Sequence, residues 1–176
     1  MQILTLDSLT NTVNGIRVEG RYDLGGEVLI ALRVGFRVSQ QNKGTIQSTE
    51  RGPGGMVRVT TPSPHTLWTG NQLTVFGVMG TVEANGDWYI NVISNRIFDL
   101  RRTVFATPHA PNTGEWFVND QHEITQRLDG DPPPTPWVHD IVLQRPAIYD
   151  VRAILSWTGS PSVISTAYQS ILFPYP

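Results

Sequence analysis

The residues that could bind a metal or move a proton are concentrated between positions 120 and 140. Alternation along a strand would place His122 on the face opposite Glu123, so these two could share a metal only across a bulge. Asp129-Gly130-Asp131 could begin a calcium loop, but the glycine spacing and terminal glutamate of the well-defined loop type are missing. A solvated acidic loop is the favoured interpretation. The candidates are Asp120, His122, Glu123, Asp129, Asp131, His139 and Asp140.

Other routes to catalysis have weak support. The chain has no cysteine, which excludes thiolate nucleophiles, disulfides and cysteine-ligated metals. No serine lies in a Gly-x-Ser-x-Gly elbow, and the Arg-Gly-Pro-Gly-Gly segment lacks the lysine and the helix of a phosphate-binding loop. A glycosidase that uses a pair of carboxylates stays an open alternative. These observations predict a protein that is not an enzyme and that has no cofactor, catalytic residue or metal.

Charge and hydropathy limit the partners. Thirteen basic residues face fifteen acidic ones, for a net charge of −2, so a basic stripe for nucleic acid is not expected. No apolar run approaches the ~20 residues of a membrane span, and no signal peptide is evident at the start. We expect a protein made in a cytoplasm and not exported through a signal peptide. Lys43 is the only lysine, and the twelve arginines suit fixed contacts at interfaces.

The elements that must position any site are strands. From Glu27 to Ser39 the even positions are apolar, which predicts a strand with that face buried. The odd positions of Ile148–Trp157 predict a second such strand. Sixteen glycines and thirteen prolines favour many turns. The fold class is therefore predicted as all-β, with sandwich or small-barrel units and little or no helix.

The remaining segments give shorter predictions. Gln40 to Gly55 is expected to be a mobile loop or a hairpin tip, and Asp129 to Pro136 an extended, polyproline-like crossing. Ser165 to Ser170 could form a helical turn. Asn85-Gly86 predicts a tight hairpin turn, since both residues tolerate positive φ. Further strands are expected at 12–19, 56–61, 73–78, 87–94, 96–100, 114–119, 122–128, 138–144 and 162–172, with 114–119 and 122–128 forming a pair.

Between positions 57 and 100 lies an ordered set of motif residues: Pro64, His65, Leu67, Thr69, Gly70, Gly77, Ala84, Asn85, Gly86 and Trp88. Because of these residues, the segment 57–100 resembles a small β module named after the first catalytic-cysteine half-domain of ubiquitin-activating enzymes. Relatives of that module recur in tail and other virion proteins of bacteriophages. The resemblance implies a phage structural component and no ubiquitin chemistry. His65 is expected to fix a loop by hydrogen bonds.

Aromatic residues and the C-terminal segment predict interfaces. Trp68, Trp116, Trp137 and Trp157 could form a platform for stacking sugars, but core or interface positions are favoured. The apolar tail that ends the chain is expected to dock on a neighbouring subunit or on its own barrel. The residues proposed for an interface are Arg33, Arg37, Arg51, Trp137, Phe173 and Tyr175.

Together these features predict a β-sandwich-like body from residues 1–55 and 102–176, with a small barrel module at 56–101. The expected function is that of a structural component of a tailed-phage virion, either a tail or head-to-tail accessory or a capsid decoration protein. It would form homo-oligomers and contact other virion proteins, with neither nucleic acid nor membrane as a partner. A receptor- or glycan-binding module of a phage tail is the alternative.

Overall fold

The computed structural model describes residues 2–120, 122–128, 133–159 and 163–174. Within these ranges the chain is all-β, which confirms the predicted fold class. The strands are β1 Ile3–Thr12, β2 Gly15–Asp23, β3 Leu29–Val38, β4 Lys43–Thr45, β5 Ser48–Arg51, β6 Val57–Thr60, β7 Gln72–Phe76, β8 Gly86–Ser94, β9 Ile97–Leu100, β10 Glu115–Val118, β11 Ile124–Arg127, β12 Trp137–Val142, β13 Ala147–Trp157, β14 Val163–Ser165 and β15 Gln169–Phe173.

The chain divides into two compact units. Met1–Val38 and His122–Pro176 form one, which we call the sandwich unit, and Ser39–Gln121 form the other, the barrel unit. The barrel unit is wider than the module predicted at 56–101, because β5 and β10 pair with strands of that module and β4 pairs with β10. No helix in the described ranges is long and apolar enough to cross a membrane.

The sandwich unit contains two antiparallel sheets. One has the order β1-β2-β12, and the other has the order β11-β3-β13-β14 with β15 also paired to β13. Gln169 donates to the carbonyl of Leu6, and Asn11 donates to that of Leu172, so side chains of one sheet bond the backbone of the other. Their inward faces form a core that includes Ile16, Val18, Leu32, Val34, Trp137, Ile141, Val151, Leu155 and Trp157.

The predicted alternation of buried and exposed residues is confirmed along β13 and only in part along β3. The odd positions from Tyr149 to Trp157 are all buried, as alternation predicts. In β3 the buried run starts at Ala31, whereas Val28 and Ile30 are 66% and 50% exposed. The predicted buried face is therefore wrong at its first two positions. Val28 precedes the strand, and the pairing with β13 is irregular between Ser156 and Trp157.

The barrel unit is one curved sheet with the order β4-β10-β7-β8-β9-β6-β5. Only two residues separate β4 from β5: the amide of Ile46 donates to Gly114, and that of Gln47 donates to Thr60. One continuous segment therefore pairs with β10 at its start and with β6 at its end, and the sheet curls into a small barrel. Its interior contains Ile46, Val57, Val59, Leu73, Val75, Ile90, Phe98, Leu100, Trp116 and Val118.

Three local predictions are wrong. The segment Gln40 to Gly55 is an ordered part of the barrel, because its backbone groups pair with β10 and β6. The strands β10 and β11 do not pair with each other: β10 joins β4 and β7 in the barrel unit, and β11 joins β3 in the sandwich unit. Ser165 to Ser170 is not helical, since Thr166 bonds the backbone of Ala153 in both directions.

Two further segments differ in extent from what was predicted. The strand expected at 12–19 is a hairpin, in which β1 and β2 are joined at Val13 and Asn14. Of the proline-rich tract, Asp129 to Pro132 lie outside the described residues. Its described part is fastened to β2: the Tyr22 hydroxyl donates to the carbonyl of Pro133, and the Thr135 hydroxyl donates to that of Tyr22.

Candidate binding surfaces

His65 is a buried loop residue of the barrel unit, 5% exposed. Its amide donates to the carbonyl of Asn95 at 2.7 Å, and its Nδ1 accepts from the amide of Leu67 at 3.3 Å. Its ring meets Phe98 and Trp116 edge-on, with centroids 5.6 and 6.3 Å away. Burial lowers the pKa of His65, so the neutral imidazole is favoured. The side chain fixes the loop and closes one end of the barrel core.

Asn85 and Gly86 do not form the predicted hairpin turn. Asn85 has a φ of −70°, and only Gly86, with a φ of 136°, is in the positive region. The connection from β7 to β8 instead contains a 3₁₀ turn at Val82–Ala84. Asn85 Oδ1 accepts from the amide of Val78 at 2.9 Å, and its Nδ2 donates to the Val78 carbonyl at 3.0 Å. The Asn85 side chain thus bonds the two backbone groups of Val78 that a neighbouring strand would otherwise bond.

The other motif residues also support loops of the barrel. Trp88 Nε1 donates to the carbonyl of Ala84 at 2.8 Å, and the Thr69 hydroxyl accepts from the amide of Val92. Gly70 and Gly77 have positive φ values of 100° and 71°, a region that favours glycine. Leu67 is buried, and Pro64 is exposed. These contacts give the motif residues a structural role within this unit.

The acidic and histidine candidates near position 120 do not converge on a metal. Glu123 is bonded to Arg152, Asp140 to Arg17, and His139 to Gln126. In the part of the chain that the structure describes, no group of three or more potential ligands could hold a metal ion. Asp129 and Asp131, including the proposed start of a calcium loop, lie outside that part.

Arg37 belongs to a polar cluster on the outer face of the sandwich unit's larger sheet. Its Nε is 3.6 Å from Asp150 Oδ2, and its guanidinium carbon lies 4.2 Å from the centre of the Tyr168 ring. Arg152 lies 4.9 Å from the same centre and is paired with Glu123 at 2.8 Å. The Tyr168 hydroxyl donates to Glu123. Burial and this hydrogen bond raise the pKa of Tyr168. Each arginine of the cluster is thus paired with a carboxylate inside the cluster.

The other residues proposed for an interface have different positions. Arg33 and Arg51 are exposed. Trp137 is fully buried, at 0% exposure, because β12 directs it into the sandwich core; its assignment to an interface is therefore wrong. Phe173, at 9% exposure, is also mostly buried, since β15 pairs along β13. The C-terminal segment thus docks on its own unit as far as Phe173. Tyr175 lies outside the described residues.

The proposed tryptophan platform is not formed by the described side chains. Trp116 and Trp157 are 5% and 1% exposed, and only Trp68 is partly accessible. Alternation explains this result, because each buried indole lies on the inward face of its strand.

An apolar surface lies at the end of the sandwich unit where the C-terminal strand finishes. Val13, in the β1–β2 turn, is 93% exposed, and Val142, at the end of β12, is 69% exposed. Beside them is a cavity of about 360 Å³. We call this surface the Val13 end; the cavity is lined by Thr12, Val13, Asn14, Leu143, Gln144, Pro146, Phe173 and Pro174.

A second surface is a groove on the barrel unit, with a volume of about 540 Å³. It crosses β4, β10 and β7, and Phe76 and Phe117 meet edge-on there with centroids 6.1 Å apart. We call it the Phe76 groove. The sequence did not reveal it, because its strands are distant in the chain and only the barrel pairing unites them. Its lining is Gln40, Lys43, Gly44, Thr45, Phe76, Glu115, Trp116 and Phe117.

Comparison with known proteins gives likenesses of structure and none of sequence. No protein-family model matches the chain, so the resemblance of residues 57–100 to the half-domain module is not shown, and no curated protein matches it. Among solved structures the chain is similar to the phage phi92 endosialidase, with 12% identity and a TM-score of 0.35. The alignment covers 97% of this chain and 30% of that one. This likeness assigns neither an activity nor a substrate.

The same comparison contradicts one prediction. The chain was expected not to be an enzyme, yet a solved structure to which it is similar is that of an endosialidase, which is an enzyme. The prediction that the chain is not an enzyme is therefore wrong. It rested on missing motifs, and a site of paired carboxylates has no fixed sequence pattern.

Proposed function

We propose that this chain is a component of a tailed-phage virion that assembles through the Val13 end. Its partners are other virion proteins or further copies of itself, and a position in the tail and one on the capsid are both compatible with this assignment. The resemblance of residues 57–100 to a module of virion proteins supports the virion as its location. The apolar Val13 end supports assembly as its role.

The observation that carries this proposal is the exposure of Val13. A valine that is 93% exposed in a two-residue turn contributes little to the fold of its own unit. Val142 and the cavity beside Phe173 extend the same apolar surface. Covering such side chains removes apolar area from water, at roughly 25 cal/mol per Å². A contiguous apolar surface of this kind is typical of a contact with another protein.

The Arg37 cluster contributes differently. Its two arginines are each paired with a carboxylate of the same sheet, so they leave little charge for a partner. Arg33 and Arg51 are exposed, but they belong to different units, so the Val13 end is proposed without them.

The experiment is incorporation of variants into particles. Val13→Asp places a charge at the centre of the proposed contact and should lower incorporation by about tenfold or more, the effect of ~1.4 kcal/mol. Val104→Asp is the matched control, because Val104 is 72% exposed but lies in the barrel unit. The amount of each variant in purified particles is measured by immunoblot, and its folding by thermal unfolding. Equal incorporation of folded Val13→Asp and wild type would contradict the proposal.

A further inference from the structure

We propose that the Phe76 groove of the barrel unit binds a short oligosaccharide. This inference is independent of the assembly role of the Val13 end, since the groove lies entirely within Ser39–Gln121. It rests on an exposed aromatic pair and on polar side chains at the rim of the groove.

The aromatic pair is created by the pairing of β10 with β7. Glu115 lies opposite Phe76, and Phe117 lies opposite Thr74. Because side chains alternate along a strand, Glu115 and Phe117 share the outer face, while Trp116 points inward. Phe76, opposite Glu115, is on the same outer face and is 44% exposed. Aromatic surface of this kind offers a stacking contact to the C–H face of a sugar ring.

Beneath the groove lies the indole of Trp116, which is 5% exposed. Gly44 is its cross-strand neighbour, and a side chain there would not fit: a Cβ would lie 2.8 Å from Cζ2 and 3.1 Å from Nε1 of Trp116. The Nε1–H is buried and bonds no acceptor among the described residues. A buried donor without a partner is uncommon in native proteins. The glycine therefore lets the indole pack against β4 beneath the groove, where its N–H is buried and can report on binding but cannot donate to a ligand.

The rim of the groove supplies both signs of charge. Lys43 and Glu115 line it, and neither forms an ion pair within the described ranges. Gln40 and Thr45 add an amide and a hydroxyl. These groups offer donors and acceptors to the same ligand.

A saccharide fits this combination better than an apolar peptide side chain does. Its hydroxyls both donate and accept, and its C–H faces stack on aromatic rings, so it satisfies the rim and the aromatic pair together. An apolar side chain would cover Lys43 and Glu115 without bonding them, which costs free energy. The volume of about 540 Å³ lies in the usual range for small-ligand sites, roughly 300–1,000 Å³.

The test is an array of immobilised bacterial and host oligosaccharides probed with the full chain, followed by titration of the strongest hit in solution. Phe76→Ala and Lys43→Met should each weaken binding by about fivefold or more, in keeping with the loss of one good contact. Tyr89→Ala is the matched control, because Tyr89 is 57% exposed in the same unit. Its affinity should stay within about twofold of wild type.

A second readout does not depend on a variant. In the wild-type protein, the indole N–H resonance of Trp116, identified by its loss in Trp116→Phe, should shift when the same oligosaccharide is added. Binding with this shift and with weakening by Phe76→Ala supports the proposal. No signal on the array overturns it. Saccharide binding that is unchanged in Phe76→Ala and Lys43→Met also overturns the proposal. Selection of a peptide from a displayed library, with no saccharide bound, overturns it as well.

Discussion

The side-chain amide of Asn85 bonds both backbone groups of Val78, accepting from its N–H at 2.9 Å and donating to its carbonyl at 3.0 Å. These two bonds take the place of those that a neighbouring strand would make to Val78, and they hold the connection from β7 to β8 in place. Because both bonds need an amide, the residue type at this position is restricted by geometry.

Replacing Asn85 by aspartate should destabilise the protein. The carboxylate has no donor for the Val78 carbonyl, so one bond is lost and two oxygens are brought together. We expect a loss of about 1–3 kcal/mol in the free energy of unfolding, measured by urea denaturation. Asn95→Asp is the control, because Asn95 is exposed like Asn85 but its side chain bonds nothing in the described ranges; it should change the unfolding free energy by less than about 0.5 kcal/mol. Equal effects of the two variants would refute the role of Asn85.

Arg58 and Asp99 form a two-bond pair in which the Asp99 side chain is only 3% exposed. Arg58→Met leaves that carboxylate buried without its partner, at an expected cost of about 3–5 kcal/mol in unfolding free energy. Arg17→Met, in the exposed pair with Asp140, is the matched control and should have little effect. Equal stability of the two variants in denaturant titration would contradict the prediction that burial of Asp99 makes the loss of its partner costly.

His65 should make the stability of the protein depend on pH. Burial lowers its pKa from the ordinary value of 6.5, so the unfolded chain binds a proton more readily than the folded protein does. Its contribution is complete above pH 6.5 and is lost as the pH falls from there towards the lower pKa of the folded state. We expect the unfolding free energy of wild type to fall more between about pH 7.5 and 5.5 than that of His65→Gln. The same fall in both proteins would contradict this assignment, and exposed His122→Gln serves as the control.

Tyr168→Phe separates the two contacts of that ring. The variant keeps the ring beside Arg37 and loses the hydrogen bond to Glu123. Since the acceptor is a carboxylate, the expected loss is about 1–3 kcal/mol in unfolding free energy. Tyr168→Ala removes both contacts and should cost more. Tyr89→Phe, at an exposed tyrosine, should leave stability unchanged, and a neutral Tyr168→Phe would show that the hydroxyl bond is not stabilising.

Much of the fold could be predicted from local pattern, and the errors arose where pairing is distant. The alternation in β13 predicted its buried face, because burial follows directly from a period of two. The segment Gln40 to Gly55 has no such period; its order comes from β10 and β6, which no local pattern identifies. Asn85-Gly86 is a frequent hairpin signal, but here the amide of Asn85 is engaged by Val78.

The candidate surfaces were predicted less well than the strands. The interface predictions for Arg33, Arg37 and Arg51 stay predictions, whereas Trp137 was assigned to the surface because the type of a residue does not tell which strand face it takes. The Phe76 groove was missed, since Gly44, Phe76 and Trp116 meet only after the barrel forms. Of its lining, the sequence drew attention to Lys43, as the single lysine, and to Trp116, as a candidate for stacking sugars.

The central claim is that this chain is an assembled part of a virion, and its copy number in purified phage particles tests that claim most directly. Quantitative mass spectrometry of gradient-purified particles should find the chain at a fixed number of copies: roughly three, six or twelve for a tail position, and hundreds for a capsid position. A chain that is abundant in the lysate but absent from the particles would contradict the account.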